Sequence, residues 1–389
     1  MLSFENTEIA FKSKTNSALN NAYFLFRLIG NRQLIKWTKP FAGIAVRIPF
    51  PFRYVIKNTI FEHFCGGESI AECERNIVDL SNFHVKTILD YSVEGKESEI
   101  DFESTTHEIL LTQERALMDD NVPFSVFKVT GIARFALLEK VSNGDSLSET
   151  EKAEFDRVKN RIDRICHKAA DTKRKVMVDA EETWIQPVLD DLTIEMMKKY
   201  NTKEPVVYNT YQMYRHDRLA ALKKIGEQAE LENFYVGVKL VRGAYMEKER
   251  KRAQELGYES PIQPNKLASD RDFNAALDFL TERIHRFAIC CGSHNEQSCA
   301  YLTELMHKHQ IKKQDHHIYF SQLLGMSDHI SFNLASEGYN VAKYVPYGPL
   351  KDVLPYLIRR ADENTSVAGQ SSRELALIET ERKRRRLKK

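Results

Sequence analysis

The 389-residue sequence has no long hydrophobic run: no stretch reaches the roughly 20 apolar residues that a membrane-spanning helix requires. It also has no C-x-x-C pair, no H-x-x-x-H pair and no carboxylate set with metal-ligand spacing, so nothing in it predicts a metal site. Its six cysteines are expected to be the reduced thiols of a cytosolic protein. A G-x-G-x-x-G turn after a strand is missing as well, which counts against a doubly wound dinucleotide-binding fold.

The net charge is only +2, but basic residues concentrate at the two ends of the chain. Residues 1–60 carry nine Lys and Arg against Glu5 and Glu8, interleaved with aromatic residues, and the last nine residues are ERKRRRLKK. Such ends could contact an anionic membrane surface or simply be solvated. No signature of a nucleic-acid-binding fold accompanies them, so we expect no nucleic acid partner.

From residue 84 onward, short runs rich in β-branched and aromatic residues alternate with longer amphipathic helical stretches. The runs are continuously apolar, which is typical of strands buried on both faces. They lie in residues 85–95, 124–132, 175–182, 205–211, 235–245, 287–295, 317–325 and 340–348. Eight strand–helix units predict an α/β fold of the (β/α)8 TIM-barrel type, with a doubly wound sheet as the runner-up.

The predicted domain boundaries follow from this pattern. Residues 1–83 are expected to form a helical N-terminal arm, residues 84–375 the barrel and residues 376–389 a basic C-terminal tail. The polar stretch from 143 to 175 is expected to be an extra helical insertion on the outside of the barrel.

Polar side chains stand at or near the carboxyl ends of the predicted strands. Active sites of (β/α)8 barrels lie at these ends, so the pattern predicts one polar barrel mouth. The residues are Glu94, Lys128, Asp179, Asn209 with Tyr211, Arg242 with Tyr245, His294 with Asn295, Gln322 and Tyr344.

Lys128 and Asp179 allow more than one role. Lys128 lies within an apolar strand, so it is either a Schiff-base lysine, a cationic clamp for a carboxylate, or a strand-end lysine that reaches solvent. Asp179 is a candidate acid, base or partner of that lysine, or a cap of the following helix. The sequence R-G-A-Y at 242–245 places a glycine after a strand, where the backbone can approach a ligand closely.

The helix predicted after the last strand carries an unusual stripe. Tyr356, Arg359, Arg360 and Glu363 are spaced i, i+3, i+4, i+7, so they share one face. Two neighbouring guanidinium groups suit a small carboxylate, whereas the alternative is a solvated face with i, i+4 ion pairs.

Several of these segments carry a family resemblance. They are VMVDAEETWIQPVLD, VYNTYQMY, VKLVRGAYMEKER, GSHNEQS, YFSQLLGMSDHISF and KYVPYGPLKDVLPYLIRRADENTSV. Together, from about Thr87 to Leu375, they resemble the FAD-dependent proline dehydrogenase (proline oxidase) family, most closely its single-function, eukaryote-type members. The resemblance implies a distorted (β/α)8 barrel with FAD at the carboxyl ends of its strands and a final helix over the mouth. It also implies oxidation of L-proline to Δ1-pyrroline-5-carboxylate by hydride transfer to flavin N5, the first step of proline catabolism.

The resemblance also implies a role for each residue. Lys128, Arg359 and Arg360 would bind the substrate carboxylate, with Glu94 closing the site by pairing with Arg359. The residues that would pack the substrate ring are Tyr245, Leu324, Tyr344 and Tyr356, with Asp179 supporting both substrate and flavin. The residues that would contact the cofactor are Asn209, Lys239, Arg242, Gly243, Ala244, His294, Asn295, Gln322 and Glu363.

The family resemblance extends to partners and location. It implies a quinone as the electron acceptor and a separate pyrroline-5-carboxylate dehydrogenase for the next step. We expect a bacterial cytoplasmic enzyme, because the N-terminus lacks the presequence pattern of mitochondrial members, with the basic ends giving peripheral contact with the inner face of the cell membrane. One departure is Gln297, which stands where the family has an acid in the H-N-E-x-S stretch.

Three alternatives stay open at this point. A hydroxyproline dehydrogenase differs by one ring substituent, although Tyr344 filling the ring pocket favours plain proline. A Schiff-base aldolase using Lys128 belongs to a different class. A scaffold without catalysis leaves the polar barrel mouth unexplained.

Overall fold

The computed structural model describes residues 2–29, 57–93, 95–366 and 370–386. Glu94 and the aromatic-basic stretch between residues 30 and 56 lie outside these ranges, so the predictions made for them stay predictions.

Eight strands close into one barrel in chain order, and the register of β1 to β7 is parallel throughout. The strands are β1 (Val85–Tyr91), β2 (Phe124–Phe127), β3 (Lys175–Val178), β4 (Val207–Gln212), β5 (Val236–Val241), β6 (Phe287–Gly292), β7 (Ile318–Leu323) and β8 (Val341–Tyr347). Each strand coincides with one of the eight predicted runs, and the predicted (β/α)8 barrel is confirmed.

Helices connect the strands, as the right-handed crossovers of a parallel barrel require. Before β1 lie α1 (Thr7–Ala10), α2 (Asn16–Ile29), a π-helical turn (Lys57–Phe61), α3 (Glu62–Phe64) and α4 (Ile70–Ser81). Between β1 and β8 lie α5 (Glu99–Leu117), α6 (Phe135–Asn143), α7 (Glu149–Thr172), α8 (Gln186–Tyr200), α9 (Arg218–Glu232), α10 (Met246–Leu256), α11 (Lys266–Glu282), α12 (Glu296–Lys308) and α13 (Asp328–Ser336). After β8 come α14 (Leu350–Ser366) and α15 (Gln370–Arg384).

The amino end of the barrel interior is filled by aromatic rings. The ring centroid of Phe124 lies 5.4 Å from that of Tyr208 and 5.0 Å from that of Tyr319, each pair edge-to-face. The Lys175 ammonium lies 5.3 Å from the Phe124 ring and 5.2 Å from the Tyr319 ring. A Cβ at Gly237 would come within 2.5 Å of the Tyr208 ring, so only glycine leaves room for it. This packing leaves the carboxyl end of the interior for polar side chains.

By the density of its internal contacts, the chain divides into two compact units: residues 1–87 with 322–389, and residues 88–321. In the first unit α1, α2 and α15 share a small apolar core, whose buried residues are Ala10, Phe11, Leu19, Ala22, Phe26, Leu377 and Ile378.

The basic end of the chain differs from the predicted tail. The boundary predicted between residues 375 and 376 falls inside α15, whose Leu377 is buried. Arg382 lies over the Tyr23 ring at 4.0 Å, and Arg385 donates to the carbonyl oxygens of Phe11 and Lys14 at 2.8 Å each. These arginines therefore hold the N-terminal helices, and Leu377 and Ile378, which precede the basic run, give the helix its buried face.

Among the helices in the described part of the chain, none combines the length and the hydrophobicity needed to cross a bilayer.

Candidate active site

The centre of the polar cluster in residues 88–321 is Asp179, which follows β3 and is only 7% exposed. Its Oδ2 accepts a hydrogen bond from Lys128 Nζ at 2.5 Å, and its Oδ1 accepts one from Lys239 Nζ at 2.6 Å. Each carboxylate oxygen is thus bonded to a different ammonium. The structure brings these three predicted site residues together inside the barrel.

The two lysines decide the charge of this carboxyl group. Burial alone would raise the pKa of Asp179, but the Lys128 and Lys239 ammonium groups outweigh it and hold the pKa well below its ordinary value. Asp179 is therefore an anion that fixes two cations, rather than a proton donor at neutral pH. One of these cations, Lys128, lies one residue beyond the end of β2.

A second carboxylate, Asp90, belongs to the same cluster. Asp90 stands on β1 and pairs with Val126 of β2. Lys128 follows Val126 by two residues, so the alternation of side chains along the strand turns Asp90 and Lys128 to the same face. Asp90 is 1% exposed, and burial raises its pKa while Lys128 opposes the shift. Asp90 was not among the predicted site residues, although a carboxylate within an apolar run is the same signal that indicated Lys128.

The loops that follow β2 and β3 are fastened to each other. Glu181 accepts hydrogen bonds from the Thr130 amide at 3.1 Å and from the Thr130 hydroxyl at 2.5 Å. Burial, and then the neighbouring Glu182, raise the pKa of Glu181 to about 8. Because this pairing lies next to Lys128 and Asp179 in the chain, it helps to fix their position.

Arg242, at the end of β5, is held rigidly. Its three guanidinium nitrogens donate to Asp270 Oδ1 at 2.7 Å, Ser293 Oγ at 2.9 Å and Ser298 Oγ at 3.0 Å. The guanidinium also stacks over the Phe273 ring at 4.4 Å. A cation that is fixed on four sides loses little conformational entropy when it meets an anionic ligand.

The turn after Arg242 exposes its main chain. Gly243 has φ +134°, and a Cβ there would lie 2.5 Å from the Tyr214 ring, so glycine is required on both counts. Gly243 and Ala244 are exposed, and Tyr245 is half-buried before the start of α10. Exposed backbone beside a fixed guanidinium is a surface that suits a flat, anionic ligand.

His294 and Asn295 follow β6 and are half-buried. The Asn295 side chain accepts a hydrogen bond from the Ser298 amide at 3.0 Å and so caps α12. The backbone N–H of Asn295 donates to Ser293 Oγ, which also accepts from Arg242. The predicted pair therefore stands beside the Arg242 cluster, with Asn295 in a structural role.

The structure separates Asn209 from this group. The register pairs Asn209 with Val178 and Val238, whose side chains face the opposite way from Asp179 and Lys239. The Asn209 side-chain amide donates to Asp190 Oδ1 of α8 at 2.8 Å, in the helix layer, and its predicted contact with the cofactor stays a prediction.

Gln212 is the residue of β4 that faces the interior instead. It pairs with Val241 in the register, is 3% exposed, and donates to the Glu181 carbonyl at 2.8 Å. Gln212 stands two residues after Thr210, the register partner of Lys239, so the register is what identifies it as an interior residue.

The remaining predicted residues belong to the unit of residues 1–87 and 322–389. Tyr344 on β8 is 5% exposed, and its carbonyl accepts a hydrogen bond from the Leu324 amide at 2.9 Å. Gln322 accepts from the Ser331 hydroxyl of α13 at 2.8 Å. The strand end therefore positions Leu324 beside β8, while Gln322 contacts the helix layer.

Tyr356 and Arg360 lie on one face of α14, as the spacing predicted. Tyr356 is 7% exposed and packs among Phe61, Phe64 and Met326. The Arg360 guanidinium lies 5.1 Å from the Tyr356 ring, and Arg360 is also 7% exposed. An arginine this deeply buried is unlike the solvated-face alternative.

Arg359 and Glu363 are the other two residues of that stripe. Arg359 is half-buried. Glu363 lies in α14, but its side chain is not among those described, and its predicted contact stays a prediction.

Comparison with known proteins shows the family of this chain. The model of the family described as proline dehydrogenase matches residues 73–373. Proline dehydrogenase 1, mitochondrial, of Dictyostelium discoideum is 34% identical over 379 residues, which cover 86% of this chain and 66% of that protein. Hydroxyproline dehydrogenase of Xenopus laevis is 31% identical over 421 residues, covering 99% of this chain and 90% of that protein.

One solved structure is similar in fold across almost the whole chain. It is proline utilization A (PutA) from Bdellovibrio bacteriovorus inactivated by N-propargylglycine, with a TM-score of 0.80 at 18% identity. The match covers 97% of this chain and 43% of that one. The chain therefore spans about two thirds of the Dictyostelium relative and less than half of the PutA chain.

Proposed function

The chain belongs to the proline dehydrogenase family, and from that premise we propose that it oxidises L-proline to Δ1-pyrroline-5-carboxylate with FAD as its cofactor. The observation that carries the proposal is the Lys128–Asp179–Lys239 cluster at the carboxyl end of the barrel interior, within the residues that the family model matches. A small zwitterionic amino acid suits a buried site in which cations and carboxylates stand side by side.

The residues at the end of β5 and in the turn after it fit a flavin nucleotide. Arg242 offers a fixed positive charge, Gly243 and Ala244 offer exposed main chain, and Lys239 offers a buried ammonium. When bound, FAD supplies the two-electron acceptor for hydride from the substrate. The part played by the chain's own residues is to hold the cofactor, orient the substrate and exclude water.

For the substrate carboxylate we propose contact with Lys128, Arg359 and Arg360. Lys128 is positioned by Asp179, and Arg360 by the ring of Tyr356. Both cations are therefore already in place before the substrate binds, and binding does not have to order them. The aromatic and aliphatic side chains proposed to pack the pyrrolidine ring are Tyr245, Leu324, Tyr344 and Tyr356.

The experiment begins with the visible absorption spectrum of the purified protein. We expect a bound flavin spectrum that bleaches when L-proline is added without oxygen. Arg360→Ala should raise the proline concentration for half-maximal bleaching by about tenfold or more, the loss of one charge-assisted hydrogen bond. Arg373→Ala is the matched control, because Arg373 pairs with Glu5 and no substrate role is proposed for it. A colourless protein, or a flavin unaffected by proline, would contradict the proposed function.

Hydroxyproline is a second candidate substrate, favoured by the Xenopus relative that spans 99% of this chain. The ring pocket decides between them, and Tyr344 favours the unsubstituted ring by its bulk. We expect the rate constant for bleaching at low substrate to be higher with L-proline than with trans-4-hydroxy-L-proline. The reverse order would change the assigned substrate.

The Schiff-base aldolase stays the alternative from another class. It requires Lys128 as a neutral nucleophile, whereas the Lys128 ammonium is held by a carboxylate at 2.5 Å. Borohydride trapping of a carbonyl substrate on Lys128 would favour the aldolase, and its absence beside flavin bleaching would favour the dehydrogenase.

The partners of the reaction are proposed on the family premise. They are a quinone that reoxidises the flavin and a separate dehydrogenase for pyrroline-5-carboxylate, with the protein in the cytoplasm and peripheral to the inner face of the cell membrane. Arg382 and Arg385 contact the N-terminal helices, so the remaining basic residues of both ends would supply any lipid contact. Co-sedimentation with anionic vesicles that does not change when both ends are removed would contradict the membrane part.

A further inference from the structure

Asp90 has a buried oxygen atom that no group of the described structure satisfies. The residue is 1% exposed, its Oδ2 accepts a hydrogen bond from the Ser92 hydroxyl, and its Oδ1 has no hydrogen-bond partner. A buried carboxylate oxygen without a donor has lost its hydrogen bonds to water and gained none in return, so such an atom calls for a ligand or a function.

The surroundings of Asp90 place it at the candidate site. The charged groups that face it are Lys128 after β2, Asp179 after β3 and Lys239 on β5. Both oxygens of Asp179 are already bonded to the two lysines. Among these carboxylates, Asp90 Oδ1 is therefore the acceptor that remains for a bound molecule.

The chemistry of the proposed substrate supplies a matching donor. In an α-amino acid the ammonium and the carboxylate are attached to the same carbon atom. A group that receives the ammonium must therefore lie beside the group that receives the carboxylate. Asp90 stands beside Lys128 in this sense, because Asp90 pairs with Val126 of β2 and Lys128 follows Val126 by two residues, which turns the two side chains to the same face.

We propose that Asp90 Oδ1 accepts the proton of the substrate's ring ammonium before oxidation. The inference rests on the proposed function. One N–H bond of the ammonium breaks and one O–H bond forms on Asp90, while the electron pair of the broken bond stays on nitrogen as its lone pair. The lone pair of the neutral amine then forms the C=N bond as hydride leaves the adjacent ring carbon. The hydride carries two electrons to the flavin of the proposed reaction.

The raised pKa of Asp90 agrees with this role, because a carboxylate that is poorly stabilised in its charged form is a stronger proton acceptor. The pair of Asp90 and bound amine shares one proton, so the reductive rate should fall only when both become protonated at low pH.

The first test compares Asp90→Asn with the wild-type holoenzyme. The amide is of similar size but cannot take a proton. The acid limb of the pH profile for flavin reduction should move to higher pH by about one unit or more. At a fixed pH on that limb, each pH unit of that movement corresponds to a tenfold lower rate. An unchanged limb in a folded Asp90→Asn protein would overturn the proposal.

The second test measures binding rather than turnover. Measured by calorimetry, Asp90→Asn should lower the affinity for L-proline. The affinity for tetrahydrofuran-2-carboxylate should stay within about twofold of the wild-type value, because the ring oxygen of that probe carries no proton to donate. Equal weakening of both ligands would show a merely structural role for Asp90 and overturn the proposal.

A milder variant keeps the proposal testable if Asp90→Asn does not fold. Ser92→Ala removes the hydrogen bond to Asp90 Oδ2 but leaves the carboxylate, so the acid limb should move upward by a few tenths of a unit. No movement would contradict the proposal. Failure of the proposed function itself is distinguishable, since then the wild type would neither bind L-proline nor bleach with it.

Discussion

Two buried aspartates of the chain, Asp179 and Asp328, are each bonded to two lysines, yet their surroundings differ. The lysines are Lys128 and Lys239 at 2.5 and 2.6 Å in the first cluster, and Lys14 and Lys343 at 3.0 and 2.8 Å in the second. In both clusters burial would raise the pKa of the aspartate, and the lysines hold it well below its ordinary value instead.

The second cluster is internally satisfied. The Lys343 ammonium is 1% exposed and also donates to the carbonyl oxygens of Met326 at 2.5 Å and Leu323 at 3.4 Å. Lys14, in the segment between α1 and α2, forms a salt bridge with Asp328 and so attaches that segment to the cluster. This cluster therefore connects the N-terminal arm, α13 and β8.

The first cluster has an acceptor left over, because Asp90 beside it has one oxygen without a donor. It also stands at the carboxyl ends of the strands, where barrels bind their ligands. Both clusters contain buried ion pairs, so a buried ion pair alone does not indicate a functional site. What distinguishes the site is an unsatisfied group at a strand end.

Asp328→Asn should have the largest effect on stability. It leaves two ammonium groups without their carboxylate, one of them fully buried, and should lower the free energy of unfolding by about 3–5 kcal/mol. Urea titration measures it. Asp156→Asn, which affects an exposed pair with Lys159 at 3.6 Å, is the control and should change stability by about 0.5 kcal/mol or less. A loss below about 1 kcal/mol for Asp328→Asn would contradict the role assigned to this cluster.

Asp179→Asn should have the largest effect on activity. Without this carboxylate Lys128 and Lys239 lose their fixed positions, and the second-order rate constant for flavin reduction should fall by about 10²–10³-fold. Stopped-flow absorbance at a temperature where both proteins are folded should show Asp328→Asn within about threefold of the wild type. Equal losses in the two variants would remove the functional distinction between the clusters.

His63 should make the stability of the second cluster depend on pH. Its Nε2 lies 3.0 Å from the Gly325 carbonyl oxygen, and burial, followed by Lys14, lowers its pKa to about 4. Because the unfolded state binds the proton more readily, stability is full above pH 6.5 and declines as pH falls toward 4. We expect a decline of about 1–3 kcal/mol, since the ring keeps some solvent contact.

The measurement is urea unfolding between pH 4 and 7 with His63→Gln for comparison. The variant cannot be protonated, so its stability should lack this component of the decline. A decline of the same size in both proteins would assign it to other groups.

Lys14→Met should have the smallest effect. The Lys14 side chain is 21% exposed, and Lys343 still neutralises Asp328 when Lys14 is removed. The free energy of unfolding should fall by about 1 kcal/mol, with the affinity for L-proline unchanged. A loss as large as that of Asp328→Asn would mean that Lys14, not Lys343, carries most of the stabilisation.

The strands could be predicted from the sequence because each one is a continuous apolar run, the pattern of a strand covered on both faces. Val236–Val241 and Ile318–Leu323 both lie within the predicted runs. The helix at the C-terminus was harder to predict, because Leu377 and Ile378 are the only large apolar pair within a strongly basic stretch. Their burial depends on the N-terminal helices, which are distant in sequence.

The candidate site was predicted in part. Lys128 and Asp179 were identified by polar chemistry at the end of apolar strands, and the structure pairs them. Asn209 was selected and Gln212 passed over because both are polar residues near the end of β4. Only the register between strands decides which of them faces the interior.

The sequence alone determined the number and order of the strand–helix units, because local hydrophobic patterning controls which segments form strands. It also determined the family, since each motif consists of residues that are consecutive in the sequence. Only the tertiary structure decided that Asp90 lies with Lys128, that Asp179 binds two lysines at once, and that Asn209 turns toward the helices. Those facts depend on barrel closure, which brings residues from different strands together in three dimensions and sets which side of each strand is inside.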